Sequence, residues 1–145
     1  MPLVWILIVV SLAVSFIYNS EQVRQERISN YSDISATSLN MLVYRNAVAT
    51  YAQANPVFNG NVPDSQIVLP SWYIKSPYLA NYVTTGKSYT YFFGSIPGLA
   101  GELARLTGSV NVGTNQNGIL LSPNMPNIGI TLPPQIPNSA VVLIQ

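Results

Sequence analysis

The chain begins with an almost unbroken apolar run from Leu3 to Tyr18. Its length is close to the minimum of about 17 residues for a helix that crosses a membrane. Trp5 and Tyr18 stand at opposite ends, where amphipathic rings prefer the lipid headgroups. Ser11 and Ser15 are four residues apart, a spacing that places small side chains on one face and favours helix packing in a membrane. The pattern predicts a membrane anchor over residues 1–19.

Two alternatives to a retained anchor follow from the same run. A buried core helix would rarely begin at residue 3 and be apolar on every face. A signal peptide cleaved after Ser15 has suitable small residues, but no Lys or Arg precedes the run. Topology is ambiguous by charge, since Arg24 and Arg27 follow the run and are offset by Glu21 and Glu26. We expect a periplasmic body, because the later sequence is rich in Asn, Thr and Tyr.

Residues 20–32 form a polar neck without a helix breaker, so the anchor helix could continue through it, or Asp33 or Ser35 could cap a new one. From Ala36 to Ala54, apolar residues recur every three or four positions and predict an amphipathic helix, ended by Asn55-Pro56. Arg45, Asn46 and Gln53 are expected to point away from the core. The face expected against the core comprises Leu39, Leu42, Val43, Ala47 and Tyr51.

Beyond Pro56, prolines and glycines divide the chain into short elements. Turns are predicted at Asn59-Gly60, Pro63-Asp64 and Asn117-Gly118. The other predicted elements are a strand at 88–93, a helix at 97–106 closed by Gly108, a hairpin of 109–112 with 119–121, and a closing strand at 140–144. Residues 33–145 are thus predicted to be one α+β domain, with the helix packed on a small, mostly antiparallel sheet, pilin-like in outline.

The composition of the chain disfavours several classes of function. Charged residues are 8% of the chain, against about 25% in typical domains, and the net charge is +1. Such a surface does not attract nucleic acid, and it suits a protein inside an assembly. The chain has neither cysteine nor histidine, which removes thiol chemistry and the commonest general base and metal ligand. We expect no enzyme activity, no cofactor, no metal and no small-molecule substrate.

Two residue pairs are the remaining candidates for catalysis. Asp64 and Glu102 could form a carboxylate pair only if the fold brought them together, and a turn former and a surface charge are the simpler interpretations. Ser71 precedes Lys75 by four residues, which joins their side chains only on a helix, and the flanking prolines leave barely one turn. Lys75 is therefore predicted to be solvated or to face a partner.

Aromatic residues are concentrated between positions 72 and 93. Phe92 or Phe93 suits the core, but others lie beside prolines in loop-like sequence, where exposed rings are typical contact anchors. Sugar stacking is a second use of such rings. The candidate partner contacts are Trp72, Tyr73, Lys75, Tyr78 and Tyr82.

Several segments together resemble the PilM family of type IVb pilus systems, small proteins found with conjugative thin pili. The resemblance rests on the order and spacing of Leu42–Asn46, Asn55-Pro56, Val62–Ser65, Leu69–Tyr73, Pro97–Leu99, Asn117-Gly118, Leu132-Pro133 and Ile136–Val142. None of these is a catalytic motif. The resemblance implies an accessory protein of pilus biogenesis, anchored in the inner membrane, whose partners are other pilus-assembly proteins; a homo-oligomer is compatible with it.

A major pilin and a binding module are the two alternative functions. A major pilin is disfavoured, because no basic prepilin leader ending in Gly is present and the first twenty residues contain no acidic residue. A secreted or surface binding module, adhesin-like or minor-pilin-like, would instead use the exposed aromatics. The state of the mature N-terminus distinguishes this module from an anchored protein.

Overall fold

The computed structural model describes residues 2–145, which contain two helices longer than one turn and seven strands. The helices are α1 (Pro2–Ala54) and α2 (Leu99–Thr107), and a 3₁₀ turn spans Asp64–Gln66. The strands are β1 (Asn59–Gly60), β2 (Leu79–Thr84), β3 (Lys87–Phe92), β4 (Val112–Gln116), β5 (Ile119–Ser122), β6 (Met125–Thr131) and β7 (Val141–Ile144).

The chain divides into two units, Met1–Asp33 and Ile34–Gln145. The first consists of the N-terminal part of α1, and every side chain described there is exposed. An 18-residue stretch of this helix has a mean hydropathy of 1.7, and none of its described residues is buried. The helix is therefore long and apolar enough to cross a membrane. The helix continues through the polar neck, and neither Asp33 nor Ser35 caps a separate helix.

The second unit, which we call the body, is an α+β fold built on one antiparallel sheet. The strand order is β1-β2-β3-β7-β4-β5-β6, so the C-terminal strand β7 lies at the centre. Phe92 pairs with Val141 and Tyr91 with Val142 in the central ladder. Successive residues of β7 then enter different cores, Val141 one and Val142 the other, because side chains alternate across a strand.

One core lies between this sheet and the helices, and the other lies on the opposite face of the sheet. Residues 34–54 of α1 contribute Met41, Tyr44, Val48 and Ala52 to the first core, and α2 adds Leu99 and Leu103. On the second face, Leu132 and Ile136 cover Tyr89 and Tyr91. The predicted α+β class is confirmed.

The centre of the predicted helix face is displaced, although Leu42, Ala47 and Tyr51 pack against the first core. Leu39 is 60% exposed, and Leu42, Val43, Ala47 and Tyr51 lie at the margin, half-buried. The residues of this helix that are buried are Ser38, Met41, Tyr44, Val48, Ala49 and Ala52. The face is rotated because Tyr44 can be buried, its hydroxyl having partners in the body. Asn46 and Gln53 are exposed as predicted, whereas Arg45 is half-buried.

Local signals located most of the other elements correctly. The predicted strand at 88–93 is β3, Gly108 closes α2 at a φ of 62°, and Asn117-Gly118 forms the tight turn between β4 and β5. Asn59-Gly60 was predicted as a turn but pairs with Thr84 and Val83 as β1. The first strand of the predicted hairpin is displaced from 109–112 to Val112–Gln116. Strands β2 and β6 were not predicted.

Candidate interaction surface

Residues 61–78 connect β1 to β2 and contain four of the five candidate contact residues. We call them the connecting segment. Apart from the 3₁₀ turn, the segment has no regular structure, since prolines at 63, 70 and 77 interrupt it. Val62 and Ile67 are buried in the first core and attach its first half to the body. The segment is therefore an irregular loop with apolar anchors.

A buried hydrogen-bond network fixes the start of the connecting segment. Tyr44 of α1 is 0% exposed, and its hydroxyl donates to Asp64 Oδ1 at 2.8 Å. Asn81 of β2 donates from Nδ2 to the same hydroxyl at 2.7 Å. The Asn81 amide also accepts from the Val62 N–H at 2.8 Å and donates to the Val62 carbonyl at 2.9 Å. Helix, strand and segment are joined at this point.

Lys75 completes the network. Its Nζ lies 2.8 Å from both carboxylate oxygens of Asp64 and 4.9 Å from the centroid of the Tyr44 ring. Partial burial opposes ionisation of Asp64, but hydrogen bonds from Lys75 and Tyr44 outweigh it and hold the pKa of this carboxyl below its usual value. Lys75 was expected to be solvated or to face a partner, and in the structure its charge is paired with Asp64 within the body.

Tyr73 also forms contacts within the body. Its ring stacks on Tyr44 at a centroid distance of 6.4 Å, and its hydroxyl donates to Asn40 Oδ1 at 2.8 Å. Asn40 in turn donates from Nδ2 to the Ile74 carbonyl at 2.7 Å. Burial, followed by the nearby Asp64 charge, raises the pKa of Tyr73. The second half of the connecting segment is therefore held against α1.

Of the large apolar side chains in the fixed segment, three are more than two-thirds exposed. Trp72 is 70% exposed, Ile74 84% and Val68 91%. Only Trp72 was predicted as a contact. The two aliphatic residues were missed, although their position among the prolines at 63, 70 and 77 was a usable signal. Exposed apolar groups on a conformationally fixed loop can bind a partner with little ordering cost.

The two remaining candidates lie outside this set. Tyr78 is 53% exposed and packs edge-on against Phe92 and Phe93. Phe92 is buried, as predicted for one of the pair, whereas Phe93 is 49% exposed. Tyr82 packs against the second core and donates from its hydroxyl to Asn59 Oδ1 at 2.9 Å. The structure therefore does not bring Tyr82 to the surface that carries Trp72.

Three residues of the candidate catalytic pairs, Lys75, Asp64 and Glu102, form other ion pairs in the structure. The segment from Ser71 to Lys75 is not helical, and Lys75 pairs with Asp64. Glu102 pairs with Arg105 on α2 at 2.7 Å, so the two carboxylates have different basic partners. Among residues 2–145, no group of three or more acidic residues could hold a metal ion.

The predicted membrane residues all lie on the helical N-terminal unit. Trp5 and Tyr18 are each 70% exposed. The hydroxyl of Ser15 donates to the Ser11 carbonyl at 2.9 Å, which satisfies this polar group within the helix. Both serines are exposed, so the small-residue face stays available to another helix.

Comparisons with known proteins agree with this architecture. The PilM family model matches residues 7–144. A PilM protein from Pseudomonas aeruginosa 2192 is 33% identical, with a TM-score of 0.52 over 78% of this chain and 95% of its own. A PilM protein from Escherichia coli B7A shares the fold at 24% identity, with a TM-score of 0.59 over 79% of this chain and 93% of its own. No curated protein matches. Since the family model covers nearly the whole chain, the protein belongs to the PilM family, a pilus-related family.

Proposed function

We propose that this protein is an accessory component of type IVb pilus assembly, anchored in the inner membrane by residues 3–18, with its body in the periplasm. It acts by binding other assembly proteins and catalyses no reaction. The observation that carries the proposal is the exposure of Val68, Trp72 and Ile74 on a segment fixed by buried contacts.

Binding at this surface depends on the apolar area that it buries and on how far the loop is already ordered. Burying an exposed aliphatic or aromatic side chain contributes about 1.5–3 kcal/mol. A flexible loop would lose part of that gain when it became ordered on binding. Here Tyr73 and Asn40 hold the loop already, while Trp72 and Ile74 stay in solvent. We infer that these exposed side chains form the centre of the contact.

The contact is tested by substituting Trp72 and Ile74 together with serine. We expect pili to be lost or strongly reduced, with the protein present at its normal level. Leu106→Ser is the matched control, because Leu106 is 41% exposed on α2 away from the segment, and it should leave pili unchanged. A deletion strain that assembled normal pili would refute the role. Normal pili with the double variant would refute this surface.

A photocrosslinking residue at position 74 identifies the partner directly. We expect a crosslink to a pilus-assembly protein from position 74 and none from position 135, where exposed Gln135 lies outside the segment. Equal crosslinking from both positions would contradict a specific contact.

Membrane topology is tested separately. A reporter that is active only in the periplasm, fused after residue 30, should be active. N-terminal sequencing of the mature protein should find Met1 or Pro2. A new N-terminus after Ser15 would replace the anchored protein with a secreted one.

A further inference from the structure

Two neighbouring cavities flank the loop of residues 93–98 in the body. One, of about 430 Å³, has Thr37 and Tyr78 on its wall. The other, of about 370 Å³, is lined by Phe93 and Asn138. Residues 94–96 line both cavities, so this loop is a wall that the two cavities share. We call the two cavities together the 93–98 groove.

Two half-exposed aromatic rings stand in the groove with fixed orientations. Tyr78 and Phe93 are 53% and 49% exposed as whole residues, and their ring centroids lie 5.8 Å apart at an interplanar angle of 73°. Tyr78 also packs edge-on against buried Phe92 at 6.0 Å. A Cβ at Gly94 would lie 2.6 Å from the Phe92 ring and 3.3 Å from Tyr78 Cγ, so only glycine permits this packing. The rings are thus positioned before any ligand arrives.

The polar part of the groove is neutral. Its hydroxyl and amide side chains belong to Thr37, Ser76, Ser95, Thr114, Asn138 and Ser139. No charged residue lines either cavity in the described part of the chain. A charged ligand would lose hydration there without gaining an opposite charge. The groove therefore favours a neutral ligand with both apolar faces and hydroxyl edges.

We propose that the 93–98 groove binds a neutral oligosaccharide. The C–H face of a sugar ring packs on Tyr78 or Phe93, and its hydroxyl edge bonds to the Ser, Thr and Asn side chains around them. An extended peptide is disfavoured, because peptides commonly add to an open strand edge. Strands β3, β7 and β4, which adjoin the groove, are each paired on both sides.

The proposal is tested with the full chain in lipid nanodiscs, which avoids sugar-based detergents. The probes are the tetramer of N-acetylglucosamine and cellotetraose, at about 10 mM, with saturation-transfer NMR as the readout. We expect saturation of the sugar ring protons by the protein with at least one probe. An uncharged hexapeptide of alanine and asparagine at the same concentration is the competing ligand and should not bind.

Four variants locate the binding. Tyr78→Ala should weaken it at least ten-fold, while Tyr78→Phe, which keeps the ring, should change it less than about two-fold. Ser95→Glu places a charge in the middle of the groove at an exposed position and should also weaken binding at least ten-fold. Trp72→Ala removes an exposed ring outside the groove and should have no effect.

Any one of three results would overturn the proposal. The wild-type chain binds neither sugar, only the hexapeptide binds, or Ser95→Glu leaves sugar binding unchanged. If Tyr78→Ala fails to fold, Ser95→Glu decides, because its side chain is in solvent. Loss of binding in Trp72→Ala alone would place the sugar on the connecting segment instead. The pilus phenotype of the Trp72 and Ile74 variants is independent of these results.

Discussion

Replacing Asn81 with leucine tests whether the buried network holds the connecting segment. Asn81 is 4% exposed, and its amide bonds to the backbone N–H and carbonyl of Val62 and to the Tyr44 hydroxyl. Leucine has a similar volume but cannot bond to either Val62 group. Each buried polar group left without a partner costs about 1–3 kcal/mol. The added apolar burial returns about 1–2 kcal/mol. At the middle of these ranges, two unpaired groups cost about 4 kcal/mol and the leucine restores about 1.5 kcal/mol, so we expect a net loss of about 2.5 kcal/mol in the free energy of unfolding.

Urea denaturation of residues 30–145, which include the whole body, measures this loss. The melting temperature should fall by roughly 10 °C or more. Asn127→Leu is the control, because Asn127 is exposed on β6, and it should change stability by less than about 0.5 kcal/mol. Equal stability of the two variants would show that Asn81 does not join the segment to the body. A loss seen with both variants would point to a general effect of leucine.

Three further predictions use matched pairs or pH. Met41→Ala should cost about 2–5 kcal/mol of unfolding free energy, because Met41 is fully buried on α1, whereas Leu39→Ala on the same helix should cost less than about 0.5 kcal/mol. Similar losses in urea denaturation would contradict the observed helix face. Gly101→Ala should stabilise α2 by about 0.5–1 kcal/mol, since a Cβ at this position meets nothing within 4 Å. Gly113→Ala should destabilise the body, because its Cβ would overlap a backbone carbonyl of β5. In thermal denaturation, the melting temperatures of the two variants should shift in opposite directions. The pKa of Asp64 is lower in the folded protein, so its ion pair stabilises the fold above the unfolded pKa, near 3.8, and this stabilisation is lost as the pH falls through the folded value. Solvent screening of this half-exposed carboxyl keeps the stabilisation below about 1 kcal/mol. The difference in unfolding free energy between the wild-type chain and Asp64→Asn should therefore disappear on acidification.

Local sequence signals were sufficient for the elements that carry their own boundaries. Asn55-Pro56 ends α1 because proline restricts the residue before it. Gly108 closes α2 in a left-handed conformation that glycine adopts without strain. The β-branched and aromatic content of Lys87–Phe92 predicted strand β3, which pairs with the central strand. In each case the cause lies within a few residues of the effect.

Elements stabilised by pairing were not predictable in the same way. In β2, a buried asparagine at position 81 interrupts the apolar alternation, and its burial is allowed only by Tyr44 and Val62. Strand β6 contains Pro126 and Gly129, which lower its intrinsic strand preference, and pairing with β5 stabilises it. The helix face was misplaced for the same reason. A tyrosine is buried where the rest of the fold satisfies its hydroxyl.

The candidate surface shows the same division between sequence and structure. The apolar N-terminal run, the scarcity of charge and the concentration of aromatic residues among prolines are visible in the sequence alone. That Lys75 and Tyr73 hold the segment while Trp72 and Ile74 stay in solvent follows from the folded arrangement. Composition and spacing are properties of neighbouring residues. Burial and hydrogen-bond partners depend on groups that are distant in the chain, such as Tyr44 and Asp64, and folding alone brings these together.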